Sequence, residues 1–376
     1  MISVIDHKRA ASTRRELLAS VLAAALPAAG QTTKTRNLIL ITADGLRWQE
    51  LFRGIDPKLM YANEAGMKDA APLVARLSDD KAEARRAKLM PFFWSKFAAR
   101  GVVIGNRDRD SKAEVTNAYR VSYPGYSEIL TGRAQDDAIR GNAKIQNPSM
   151  TVLEFLRERL KLPPRSVALF GSWDVFPFIG EQRAGSVFIN AGYQALNPEE
   201  AVTARMRELS AMQFDLRTPW DSVRHDYITV ELAFEYLKHV KPRVLYIALG
   251  EPDDWAHDKR YDRALQAIQY LDRVLERLWN QIEGMSEYRG VTSIVLTTDH
   301  GRGPDPENWH SHGAKIEGAE QIWVAAAGPD TPPTGEATGV AVHQRDVAAT
   351  MLALMGVDPT SMPGMAGKPI PAILGR

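Results

Sequence analysis

The chain has 376 residues, 44% of them hydrophobic, with 47 basic against 46 acidic side chains. That length suffices for a large α/β domain with insertions, and the balanced charge, without a long basic run, excludes a nucleic-acid groove. Cysteine is absent, which excludes disulfides, thiol nucleophiles and zinc–thiolate sites and leaves His, Asp and Glu to bind any metal.

Residues 12–31 read STRRELLASVLAAALPAAGQ, with paired arginines, a modest apolar run, and small residues at Ala28, Ala29 and Gly30. This is the order of an export signal. Arg14-Arg15 before Glu16-Leu17-Leu18 also resembles the twin-arginine consensus, read by the machinery that carries folded proteins across the bacterial inner membrane. The expected organisation is therefore a leader over 1–30 and a single domain over 31–376, with a periplasmic or otherwise exported mature chain. No apolar stretch reaches the ~20 residues of a membrane span.

NLILITADG (37–45) is a continuous apolar run that ends in Asp-Gly. It predicts a strand buried on both faces. The charge-rich residues 56–88 predict an insertion. LMPFFWSKFAARG (89–101) predicts a helix closed by Gly101. SYPGYSEILTG (122–132) predicts a short helix, on which Ser122 is open to two roles, a cap or a nucleophile. A further helix is expected from Thr151, in TVLEFLRERLKL, and a weaker strand in SVALFGSWD (166–174). Residues 174–222, rich in Pro, Gly and aromatics, predict a second insertion. Helices are expected from Asp221 and over about 258–283, framing the strand RVLYIALGEPD (243–253). VTSIVLTTDHG (291–301) and the weaker QIWVAAAGP (321–329) predict two more strands, and QRDVAATMLALMG a last helix. Strand and helix alternate, which predicts an α/β fold: a doubly wound, largely parallel central sheet with helices on both faces.

Ligands bind such sheets at the carboxyl ends of the strands. Three strong strands end in acids: Asp44, then Asp253 with Asp254, then Asp299 with His300. His257 follows Asp253 by four residues, which on a helical turn brings both side chains to one side. Asp299 and His300 are adjacent, and the turn at Gly301 lets both reach one ion. NWHSHG adds His310 and His312 before another strand. Such mixed nitrogen and oxygen donors suit a borderline metal. Trp48, Trp173, Phe176 and Phe178 are open to two readings, an aromatic wall or ordinary packing.

The ordered motifs ADG, SYPGYSEILTG, PDDWAH, TTDHG and HSHG resemble the alkaline phosphatase superfamily, in particular its nucleotide pyrophosphatase/phosphodiesterase and sulfatase-like branches. The similarity spans roughly residues 37–356. It implies a catalytic domain that uses two divalent metal ions, zinc by family habit, and a hydrolase of small-molecule phosphate esters acting through a phosphoseryl intermediate. Carried over by position, Asp44, Ser122, Asp299 and His300 would hold one ion and Asp253, His257 and His312 the other, with Ser122 as nucleophile. Thr116 and Ser127 are the alternative hydroxyls. Sulfatases carry an Arg where Tyr126 stands, so conversion of this position to formylglycine is not expected. The phosphodiesterase branch reads Thr-Phe-Pro-Asn, and this chain has Gly125 in place of that Asn, with Asn117 as a substitute for binding the phosphate. A sulfate or phosphonate ester hydrolase on the same site, and a metal-stabilised binding protein without turnover, are the competing readings.

Overall fold

In the computed structural model, which describes residues 33–67 and 70–375, the strands are β1 (Asn37–Ala43), β2 (Gly101–Ile104), β3 (Lys112–Glu114), β4 (Val167–Gly171), β5 (Phe188–Ala191), β6 (Val244–Leu249), β7 (Thr292–Thr297), β8 (Gln321–Ile322), β9 (Val324–Ala327), β10 (Gly335–Glu336) and β11 (Ala341–His343). Eight of them form one sheet in the order β10-β2-β9-β7-β1-β6-β4-β5, and β11-β3-β8 form a small second sheet. In the large sheet every neighbouring pair is parallel except the two that involve β9. The expected doubly wound sheet is borne out. The leader expected over residues 1–30 lies outside the described residues.

Burial on both faces explains why the central strands read as unbroken apolar runs. Along β1, Ile39 and Ile41 join one core cluster and Leu38 and Leu40 the other. The first cluster is closed by side chains from the helices Asp226–His239 and Tyr261–Gly284, the second by those from Ser122–Thr131, Val152–Arg159 and Asp346–Leu354. Each such Leu or Ile contributes about 1.5–3 kcal/mol of burial.

The structure departs from expectation at four places. Gly101 caps the helical turns that end at Arg100, but in extended rather than left-handed conformation, and it opens β2 at once. A Cβ there would lie 2.1 Å from the Ala326 carbonyl oxygen, so Gly serves close strand approach. The helix expected from Asp221 starts at Asp226, because Val223 makes a β-bridge with Trp173. The run 321–329 divides at Trp323 between the two sheets, and its main part, β9, is antiparallel. Within 174–222, Phe188–Ala191 extends the sheet as β5 beside β4, a strand too short to show as an apolar run.

The topology places the chemistry. β1 lies between β7 and β6, with Thr42 opposite Thr297 and Ala43 opposite Leu249. The three strands therefore end level, and the residues after them (Asp44, the helix Glu251–His257, and Asp299-His300) meet at one edge of the sheet.

Candidate metal centre and nucleophile

Asp44, Asp299 and His300 offer ligand atoms that all lie within 4.8 Å of one another, as do Asp253, His300 and His312. The Nε2 atom of His300 is 3.4 Å from Asp44 Oδ1, 3.4 Å from Asp299 Oδ2 and 3.7 Å from Asp253 Oδ1. His257 stands at the end of its short helix with Nε2 3.0 Å from Asp253 Oδ2 and 3.0 Å from His312 Nε2. The four-residue spacing thus does bring Asp253 and His257 together. His310 stays outside, bonded to Ser311 Oγ through Nδ1.

Electrostatics favours a cation here. Asp299 is fully buried, and burial pushes its carboxyl up to about 7, against the backbone N–H of Gly45 that supports the charged form. Burial, then the neighbouring Asp299, raises Asp44 well above the carboxylate range. Burial pushes His300 and His312 down, which keeps their rings neutral, the form that binds metals. Asp44 Oδ1 and Asp299 Oδ2 are buried without a hydrogen-bond partner, a costly state that a bound ion relieves. Orphaned carboxylate oxygens beside converging imidazole nitrogens fit a divalent metal with His and Asp ligands.

Ser122 is the first residue of the helix Ser122–Thr131, and the cap is Val121, with no side-chain capping bond. Ser122 is therefore not the helix cap. Its Oγ instead lies 3.4 Å from His300 Nε2. The alternative hydroxyls are committed elsewhere: Thr116 Oγ1 donates to Glu128 at 2.7 Å, and Ser127 Oγ accepts from Gln135 at 2.5 Å.

A pocket of about 170 Å³ opens beside Ser122, lined also by Asp44, Asn142, Trp173, Asp254, His257 and His312. Asn117 does not line it. Its Nδ2 donates to Glu128 and its Oδ1 accepts from the Arg120 N–H, so the expectation of Asn117 as a substrate ligand is corrected. Its amide is spent folding the loop onto Glu128. Asn142 lines the pocket instead. Its Oδ1 accepts the Tyr123 N–H at 3.0 Å, and among the described residues its amide nitrogen has no hydrogen-bond acceptor. The same contact takes up the first backbone N–H after Ser122. Asn142 is not marked in the sequence because it lies in the loop that follows the helix Ser122–Thr131, with no periodicity to single it out.

Gly125 has a steric cause. A Cβ at this position would lie 2.3 Å from the Asp299 carbonyl oxygen, so no Asn fits where the phosphodiesterase pattern has one. Tyr126 braces a ligand: its buried hydroxyl donates to Asp44 Oδ2 at 3.0 Å, and its ring packs on Phe176. Of the four aromatics considered as a wall, Trp173 lines the pocket. Phe176 packs against Tyr126 and Tyr246, Trp48 is buried with its indole donating to Gln321, and Phe178 does not line the pocket. Arg302, not foreseen, is buried and pairs with Asp253 Oδ1.

Comparison with known proteins agrees with this fold. Residues 221–359 match the family model of the Metalloenzyme superfamily. A protein in the alkaline phosphatase superfamily from Vibrio parahaemolyticus is 14% identical, with a TM-score of 0.53 over 90% of this chain and 70% of that one. The alkaline phosphatase PafA is 11% identical, with a TM-score of 0.57 over 92% of this chain and 99% of that one. The phosphonate monoester hydrolase of Agrobacterium radiobacter is 15% identical, with a TM-score of 0.52 over 90% and 77%. No curated protein sequence matches.

Proposed function

We propose that this chain, whose alkaline phosphatase-type fold bears out the resemblance carried by its motifs, is a metal-dependent hydrolase of phosphate esters with Ser122 as nucleophile. The observation that carries the proposal is the convergence of Ser122 with two overlapping groups of His and Asp ligands in one pocket. Asp44, Asp299 and His300 with Ser122 would hold one divalent ion, and Asp253, His257 and His312 the other; zinc suits this donor set. Bound metal supplies the positive charge that makes a serine hydroxyl acidic and steadies the ester's oxygens.

The protein's own residues do the rest. The helix start fixes Ser122 at the pocket floor. Tyr126 holds Asp44 by its Oδ2, leaving Oδ1 free for the ion. Asn142, anchored by Tyr123, turns its amide nitrogen to a non-bridging ester oxygen. Ser122 Oγ attacks phosphorus as the bond to the leaving alcohol breaks, and water then cleaves the phosphoseryl ester. No Lys or Arg lines the pocket, whereas Asp254 does. A dianionic monoester would meet no cationic side chain there, and Asp254, raised well above the carboxylate range by burial, adds none. The lining thus supports singly charged phosphodiesters as the substrates.

Export belongs to the same proposal, supported by the Arg14-Arg15 leader. Changing both arginines to Lys should leave precursor in the cytoplasm; unaltered delivery of mature protein would defeat the twin-arginine reading.

The test of function is a panel of nitrophenyl phosphodiester, phosphomonoester, phosphonate and sulfate esters, assayed after chelation and after zinc is restored. Fastest turnover is expected on the diester, lost on chelation and regained with zinc. Full activity in chelator would defeat the metal-dependent reading, and preference for the monoester would defeat the charge argument. A phosphonate or sulfate preference would reassign the substrate.

A further inference from the structure

We propose that Asp226 is a positioning residue for the metal centre: it holds the short helix that presents Asp253 and His257, through a mutual cap with Glu251. This inference rests on the metal-dependent reading above. Glu251–His257 has seven residues, too few to be stable alone, yet it sets two ligand side chains. Its capping residue Gly250 has no side chain to cap with. Asp226, first residue of the helix Asp226–His239, supplies what is missing. Its Oδ1 accepts the Gly250 N–H at 2.8 Å and its Oδ2 the Glu251 N–H at 3.1 Å. Glu251 returns the contact, because its Oε1 accepts the Asp226 N–H at 3.0 Å and lies 3.1 Å from His225 Nδ1. Each helix start is thus capped by an acid of the other.

The pair is anchored to the sheet. Ser172, directly after β4, donates to Asp226 Oδ1 at 2.5 Å and lies 2.9 Å from Thr229 Oγ1. Arg224, fully buried, donates to Thr229 Oγ1 at 2.9 Å and to Asn190 Oδ1, on β5, at 2.7 Å. The ends of β4, β5 and β6 are therefore linked through Asp226 to the ligand helix. Arg302 restrains Asp253 from the other side, and it is Asp226 that accepts the Gly250 and Glu251 N–H groups at the helix start. Partners that orient metal ligands in this way are worth about 10–100-fold in metal affinity.

The experiment compares Asp226→Ala, Asp226→Asn and Ser172→Ala with wild type and with Leu352→Ala, a change at a buried residue of the helix Asp346–Leu354. Amide hydrogen exchange of chelated protein and zinc titration are the two readouts. In Asp226→Ala, exchange over 250–257 should rise roughly tenfold or more while 122–131 stays protected. Zinc should weaken about 10–100-fold at the Asp253 site and be retained at the Asp44 site. Asp226→Asn and Ser172→Ala should move the same way by less, and they carry the test if Asp226→Ala does not fold. Wild-type exchange and zinc affinity in all three variants would overturn the proposal. So would an even loss like that of Leu352→Ala. If wild type itself bound no zinc, the metal-dependent reading would fall, and exchange over 250–257 would still decide the role of Asp226.

Discussion

Ser122 shows how one residue's role turns on a position one step along the chain. Because Val121 is the cap, Ser122→Ala should not cost the roughly 0.5–2 kcal/mol of a lost cap. Turnover should nevertheless fall to background while metal content is kept; thermal melting and elemental analysis beside the assay check this. Gly125→Asn should fail to restore a phosphate ligand. Its side chain would be driven into the Asp299 carbonyl, at a cost of about 1–3 kcal/mol typical of overpacking, read as a lower denaturant midpoint. The proposed ligands were legible in the sequence because each sits at a strand end or helix start within a short motif, whereas Ser122 stayed open between cap and nucleophile until the family resemblance was added. Asn142 and Arg302 were not legible, because what brings them to the site is a loop path and a buried ion pair that leave no local pattern.

The same contrast holds for whole elements. The central strands β1, β6 and β7 could be read because burial on both faces requires unbroken apolar runs. β5 and β9 could not be read so well. A four-residue edge strand carries too little pattern, and direction within a sheet is set by tertiary pairing. The helix from Thr151 was legible through its cap: the Thr151 side chain and Glu154 form a capping box, and Thr151 Oγ1 also donates to the Gly180 carbonyl. Thr151→Ala should therefore lower stability by roughly 1–2 kcal/mol without altering zinc binding; urea melts and metal titration check both halves.

Across the whole molecule, the metal centre couples stability to pH. Burial raises Asp299 from an ordinary 3.8 to about 7 and raises Asp44 as well. In chelated protein the folded state therefore keeps protons that the unfolded state has released between these values. These two carboxyls then subtract stability as pH rises through that window, since their unfolded forms bind fewer protons there, while the lowered His300 and His312 act in the opposite sense. Zinc displaces those protons, so the loaded protein should be spared this loss and should melt progressively higher than chelated protein as pH approaches 7. Melting curves across pH with and without zinc check the sign; a melting difference that shrinks as pH rises from 4 to 7 would contradict it.

The central claim is that Ser122 is the nucleophile of a metal-dependent ester hydrolase, and it is tested most directly by acid-quenched mass spectrometry during turnover of a nitrophenyl phosphodiester. A phosphoryl or aryl-phosphoryl adduct is predicted on the peptide that contains Ser122, absent from Ser122→Ala and from chelated enzyme. Continued turnover by a zinc-loaded Ser122→Ala variant, or an adduct on another residue, would contradict the account.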